Sequence, residues 1–214
     1  MITITAFKWV PPMAQGLVRD LRVRWALEEA GIPYDVQLID PSIQRSEDYL
    51  AMQPFGQVPV LIEDNLTIFE SGSIVLHIGE KSEVLLPKEE APRRRAVTWV
   101  ISALNSIEIA VVPLAQIDLF YAGEAWAKER RPAAAAFLHS RLADLSVALG
   151  DKPYLDGNFT AGDLMMVAVL RNLRHTNLIA DYPNLAAYME RCQARPAFQR
   201  ALEGQMSAFR AHAA

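Results

Sequence analysis

The sequence predicts an α/β domain followed by an all-α helical bundle, and three observations carry that prediction. Over residues 1–81, stretches that alternate apolar and polar residues take turns with stretches whose apolar residues recur at helical spacing. A charged segment, 82–91, contains Pro87, is followed by Pro92, and separates two compositional regimes. Beyond it, every patterned segment is helical. The division read from the chain is an α/β domain over 1–81, a linker over 82–91 and an all-α domain over 92–214.

Composition bounds the partners. A chain of 214 residues that is 51% hydrophobic can bury a substantial core, as one large domain or two smaller ones. A formal net charge of −4 gives no footing to nucleic acid or an anionic membrane surface. The single cysteine, Cys192, excludes an internal disulfide framework and fits a reducing compartment, with a buried, inert thiol as its expected role. No apolar run is expected to reach the ~20 residues of a membrane span, and Met1-Ile2-Thr3-Ile4 lacks a signal peptide's basic start. A soluble cytoplasmic protein with no membrane partner is therefore expected. His77, His139, His175 and His212 are dispersed at no metal-ligand spacing, so no metal is expected.

Ile2–Phe7 alternates as a half-buried strand does. Trp9 to Gly16, with Pro11-Pro12, is a loop, and a helix is expected from Leu17. Val18, Leu21 and Trp25 mark one apolar stripe and Val23, Ala26, Leu27 and Ala30 a second, so this helix is covered on two sides and closed by Gly31. Tyr34–Ile39 is a second strand, parallel to the first because a helix separates them. Ser46–Met52 makes one short helix. Val58–Ile62 and Leu66–Phe69 are strands joined by Glu63-Asp64-Asn65, and Ser71–Glu80 is the closing helix. The order β-α-β-α-β-β-α is that of a thioredoxin-like domain.

In the second domain a long amphipathic run from Arg93 is expected to kink at Pro113 and resume to Tyr121. Ala133–Leu149 is a second helix with Phe137, Leu138, Leu142, Leu145 and Leu149 inward, stopped by Gly150. Thr160-Ala161-Gly162-Asp163 reads as a capping box ahead of an apolar, buried helix from Leu164. Helices beginning near Tyr182-Pro183 and after Arg195-Pro196 end the chain.

The chemistry centres on Gln53-Pro54-Phe55-Gly56-Gln57-Val58-Pro59-Val60-Leu61 and the Glu70-Ser71 pair after it. Proline cannot donate to a ladder, so Val58–Ile62 is read as an edge strand whose first residues pair with something other than protein. A cis bond before Pro59 would turn the Val58 N–H and C=O outward, toward a bound peptide backbone. Ser71 begins a helix, and a helix N-terminus is a natural place for a carboxylate. Together these features suggest a small, acidic, peptide-like ligand.

Gln57-Val58-Pro59-Val60-Leu61 followed by Glu70-Ser71-Gly72-Ser73-Ile74 resembles the glutathione-binding half of the cytosolic glutathione transferases, and the likeness runs to the Pro–Leu…Arg–Pro–Ala ending. The resemblance implies the fold of that family: a thioredoxin-like domain, then a C-terminal helical bundle, usually as a homodimer. It implies glutathione as co-substrate, with no metal, conjugated to a small hydrophobic electrophile in a detoxification role. Glutathione would be bound by Gln57, Val58, Pro59, Glu70 and Ser71. Trp9, Met13, Phe120 and Tyr121 would line the electrophile pocket, or serve as core and interface packing. A non-catalytic binding protein, or a glutathione-dependent isomerase or dehalogenase, are the alternatives.

One loop departs from the family. Its members usually place Ser, Tyr or Cys there, whereas no Ser, Thr, Tyr or Cys lies between Phe7 and Tyr34. The position of the usual serine falls near Gly16 or Leu17. Three readings follow: backbone N–H groups of Ala14, Gln15 or Gly16 stabilise the thiolate; the Gln15 amide or Arg19 supplies the donor; or the protein binds without turnover. Gln15 reads equally as a solvated loop side chain, and Arg19 and Arg22 as exposed positions on an amphipathic helix.

Overall fold

The computed structural model describes residues 1–213. Its contacts divide the chain into two compact units, one of Met1–Leu86 with the chain from Arg195 on, the other of Pro87–Ala194.

The first unit is built on a four-stranded sheet of order β2-β1-β3-β4, with β1 Ile2–Phe7, β2 Tyr34–Ile39, β3 Val60–Glu63 and β4 Leu66–Phe69. β1 and β2 run parallel, and β3 lies antiparallel to both β1 and β4. The thioredoxin-like order read from the sequence is therefore present. Two expectations need correction. β1 is buried on both faces, because it is interior to the sheet. The strand after Pro59 is interior too and begins at Val60, so the edges are β2 and β4. Pro59 precedes the ladder, and its missing N–H takes nothing from the sheet.

Helix α1, Asp20–Ala30, connects β1 to β2 and ends on Gly31 in the left-handed region (φ 65°), where glycine alone is unstrained. It starts three residues later than its pattern suggests, because Gln15–Leu17 are held in turns that include a Leu17 N–H bond to the Ala14 carbonyl (3.0 Å). Two short helices, α2 Pro41–Gln44 and α3 Glu47–Met52, follow β2, where the sequence suggested one; Asp40 caps the first and Ser46 the second. Helix α4, Ser71–Gly79, follows β4.

The two apolar stripes of α1 are explained by its neighbours, α4 and the last helix, α10, Pro196–Ala211. Trp25 meets Phe198 edge-on with ring centres 4.8 Å apart. Three polar links reinforce this packing: the buried Asp20 accepts from Arg24 (2.7 Å) and Gln205 (2.6 Å), Glu29 takes a bidentate bond from Arg195, and Glu28 accepts from Arg200.

The second unit is helical: α5 Glu90–Ser102, α6 Glu108–Phe120, α7 Ala125–Leu149, α8 Ala161–Leu170 and α9 Pro183–Gln193. The break expected at Pro113 falls instead at a π-helical turn, Ala103–Ile107, and Pro113 lies within α6. By length and composition the run Glu90–Phe120 is apolar enough to cross a membrane, which corrects the expectation that no such run exists; 44% of its most apolar window is buried inside the fold. α7 starts at Ala125, ahead of Pro132, where Arg131 binds Asp118 of α6 in a bidentate pair (2.6 and 3.0 Å). Leu138, Leu142, Leu145 and Leu149 face inward, but Phe137 is exposed beneath the Arg141 guanidinium. α8 is buried nearly all round, and the capping box at Thr160 and Asp163 is present. α8 crosses α5 so closely that a Cβ on Gly162 would lie 2.4 Å from the Trp99 Cβ. Cys192 is buried.

Candidate functional site

The register of the β3–β4 hairpin assembles the site. Val60 pairs with Phe69, so the residues just outside the ladder, Val58-Pro59 on one side and Glu70-Ser71 on the other, share one end of it. The Val58–Pro59 peptide is cis, as the sequence reading expected. The Val58 side chain is buried with Ile39, Tyr49 and Val60, while its N–H and C=O bond to no other group among the described residues. Unpaired main chain beside a sheet is a template for another backbone.

Opposite lies the start of α4. The first intrahelical bond runs from the Ile74 N–H to the Glu70 carbonyl (2.9 Å), so the N–H groups of Ser71, Gly72 and Ser73 point out of the helix without an acceptor in it. Glu70 makes no side-chain cap and holds φ 69°, ψ 114°, a region L-residues rarely occupy. Its side chain is exposed, as is that of Gln57. The result is a row of outward donors, carrying the positive end of a helix dipole, next to an open strand segment.

Two buried devices support these residues, and sequence reasoning missed both. Arg22 was read as exposed. It is buried instead, and its guanidinium donates to Ser71 Oγ (3.2 Å). Behind the Val58 segment, the Val60 N–H donates to Thr5 Oγ1 (2.8 Å), Thr5 Oγ1 lies 2.9 Å from Tyr49 Oη, and the Tyr49 hydroxyl donates to the Gln57 carbonyl (2.8 Å). Burial pushes the Tyr49 hydroxyl pKa up, against the opposing pull of the Thr5 hydrogen bond, so it stays protonated and able to donate. The alternation of Ile2–Phe7 places Thr5 with the polar residues, so the strand pattern carries no signal for its burial.

In the loop after β1, Gln15 donates through Nε2 to the Val10 carbonyl (3.1 Å) and through its N–H to the Pro12 carbonyl (3.3 Å). The Ala14 N–H donates to the Pro11 carbonyl (2.8 Å), and Gly16 takes φ 75°. Trp9 and Met13 are exposed on this loop, in the first unit. Phe120 and Tyr121 are exposed at the end of α6, in the second unit, with Tyr121 5.2 Å from the Trp126 ring.

The family profile described as "Glutathione S-transferase, N-terminal domain" matches residues 6–80, and "Glutathione S-transferase, C-terminal domain" matches residues 117–204. Glutathione S-transferase F13 of Arabidopsis thaliana is 31% identical over 181 residues, which span 73% of this chain and 76% of that protein. Glutathione S-transferase GstA of Escherichia coli O157:H7 is 27% identical over 188 residues, 84% of this chain and 90% of that one. The crystal structure of a glutathione transferase from Burkholderia graminis, with two glutathione molecules bound per subunit, superposes with a TM-score of 0.83 at 24% identity, covering 94% of this chain and 87% of that chain. That last likeness establishes the fold.

Proposed function

Because this chain belongs to the glutathione S-transferase family, we propose that it binds glutathione at the β3–β4 hairpin end and conjugates the tripeptide thiol to a small hydrophobic electrophile. The observation that supports this most is the pairing of an unbonded Val58 main chain with an open α4 N-terminus at one end of a hairpin. In this reading the cysteinyl backbone pairs with Val58. The γ-glutamyl carboxylate lies on the N–H groups of Ser71 to Ser73, and Glu70 faces the γ-glutamyl amine. Gln57 and Pro59 border the same strip.

The chemical task is to bring a thiol pKa down from about 8.5 toward neutrality. A donor near the sulfur and a nearby positive field both favour the thiolate. Gln15 and Gly16 are assigned that role, from the loop after β1. Trp9 and Met13, exposed on the same loop, are assigned to the electrophile pocket. A homodimer in the cytoplasm belongs to the same proposal.

The test is turnover of a chlorinated nitroarene with glutathione, alongside calorimetric binding of glutathione. Saturable conjugation that falls in a Glu70→Ala Ser71→Ala variant supports the reading. A wild-type rate no greater than that variant's overturns it. One feature favours a second reading, a glutathione-binding protein without turnover: the loop after β1 lacks any hydroxyl or thiol. Tight binding with no conjugation across an electrophile panel would select it.

A further inference from the structure

The buried hydroxyls of Thr5 and Tyr49 take no part in the reading above, yet they join groups on both sides of Val58-Pro59. Counting donors fixes every bond direction. A carbonyl only accepts, so the single Tyr49 hydroxyl hydrogen goes to Gln57. An amide N–H only donates, so Val60 donates to Thr5. The remaining contact must then use the Thr5 hydrogen, with Tyr49 Oη as acceptor. A one-way chain therefore runs from the Val60 N–H through Thr5 and Tyr49 to the Gln57 carbonyl, and such chains polarise cooperatively in a dry interior. Thr5 is 0% exposed and Tyr49 1%, so water does not compete.

We propose that Thr5 and Tyr49 are positioning residues that hold the Gln57–Val60 main chain so that the Val58 N–H and C=O face a ligand backbone. The inference rests on the glutathione-binding reading above. Both side chains lie behind the strip, one on interior strand β1 and the other on α3, and neither reaches the tripeptide. Each end of the chain is a main-chain group flanking Val58, so loss of one hydroxyl frees the segment while leaving its apolar packing on Ile39 and Val60 in place.

The test compares wild type with Tyr49→Phe, Thr5→Val and the conservative Thr5→Ser. Two probes are titrated by calorimetry: glutathione, and an analogue methylated on its cysteinyl amide nitrogen. Wild type should bind glutathione and lose about tenfold toward the methylated analogue, the worth of one good hydrogen bond. Tyr49→Phe and Thr5→Val should weaken glutathione binding about three- to tenfold and reduce discrimination between the probes to about twofold. Thr5→Ser should keep both wild-type values. In turnover, KM should move while kcat holds. A purely structural role would lower thermal stability without altering discrimination, and that result overturns the proposal. Should Thr5→Val fail to fold, Tyr49→Phe, which keeps its ring in the core, decides the matter alone. Absence of wild-type binding to glutathione would instead overturn the underlying reading, and this inference with it.

Discussion

The guanidinium of Arg22, on α1, donates to the hydroxyl of Ser71 at the first residue of α4, and both side chains are buried. The bond draws a buried cation to the helix end that the proposed function assigns to a carboxylate. It also engages the Ser71 hydroxyl from behind, leaving the outward N–H groups to face a ligand. Ser71→Ala would remove an acceptor from a buried charged donor, which costs about 1–3 kcal/mol. The expected outcome is a loss of that size in urea-unfolding free energy together with weaker glutathione binding. Arg22→Met, similar in length but uncharged, should weaken binding more than stability. Unchanged affinity in Arg22→Met would remove Arg22 from the anion site.

Glu70 carries a separate signature. Its φ of 69° and ψ of 114° are costly for any residue with a Cβ, on the order of 1–3 kcal/mol. Glu70→Ala keeps that cost and Glu70→Gly releases it, so the glycine variant should be more stable than the alanine variant by about 1 kcal/mol. Both should lose affinity for glutathione, because both lose the carboxylate. Equal stability of the two variants would show that the backbone at this position is unstrained.

Much of this was legible in the chain. The Val58-Pro59 dipeptide and the Glu70-Ser71 pair located the hairpin end, because proline and a polar residue ahead of an apolar helical run each constrain the backbone locally. Strand order was legible only in part. Pro59 suggested an edge, but it lies outside the ladder, and where a ladder begins is set by pairing partners that a single segment does not reveal. Arg22 was misread because helical periodicity treats a charged side chain as solvated, whereas here a hydroxyl 49 residues away provides its partner. Thr5 and Tyr49, 44 residues apart, were hidden for the same reason. The start of α7 was misplaced because Pro132 reads as a boundary, while the Arg131–Asp118 pair holds the preceding turns.

The capping box expected ahead of α8 is present, and its contribution to stability can be tested. The Asp163 carboxylate accepts from the Leu155 N–H (2.8 Å), the Thr160 N–H (2.9 Å) and the Tyr188 hydroxyl (3.0 Å). Burial raises its pKa, and the hydrogen bonds only partly offset that. Asp163→Ala would leave these donors, and the Thr160 hydroxyl that also bonds the carboxylate, facing a cavity, for an expected loss of about 3–4 kcal/mol. Asp163→Asn keeps the volume but turns an amide hydrogen toward one donor, so it should cost less, about 1–3 kcal/mol. Chemical denaturation measures both; a cost under about 1 kcal/mol for the alanine variant would mean that the cap does not hold the helix.

Asp40 gives the acid limb of stability. Its carboxylate accepts first from the Ser42 hydroxyl and then from the Ile43 N–H, and these bonds hold its pKa down to about 2 from the ordinary 3.8. The unfolded chain takes up this proton near pH 3.8 and the folded chain only near 2, so between those values the unfolded state binds more protons and stability falls as the pH falls. The contribution is complete above the unfolded value and is lost through the folded one. Asp40→Asn, which cannot titrate, should therefore be less stable than wild type near neutrality, and the gap should narrow steadily as urea midpoints are followed from pH 5 toward pH 2. A gap that stays constant over that range would assign the acid sensitivity to another carboxylate.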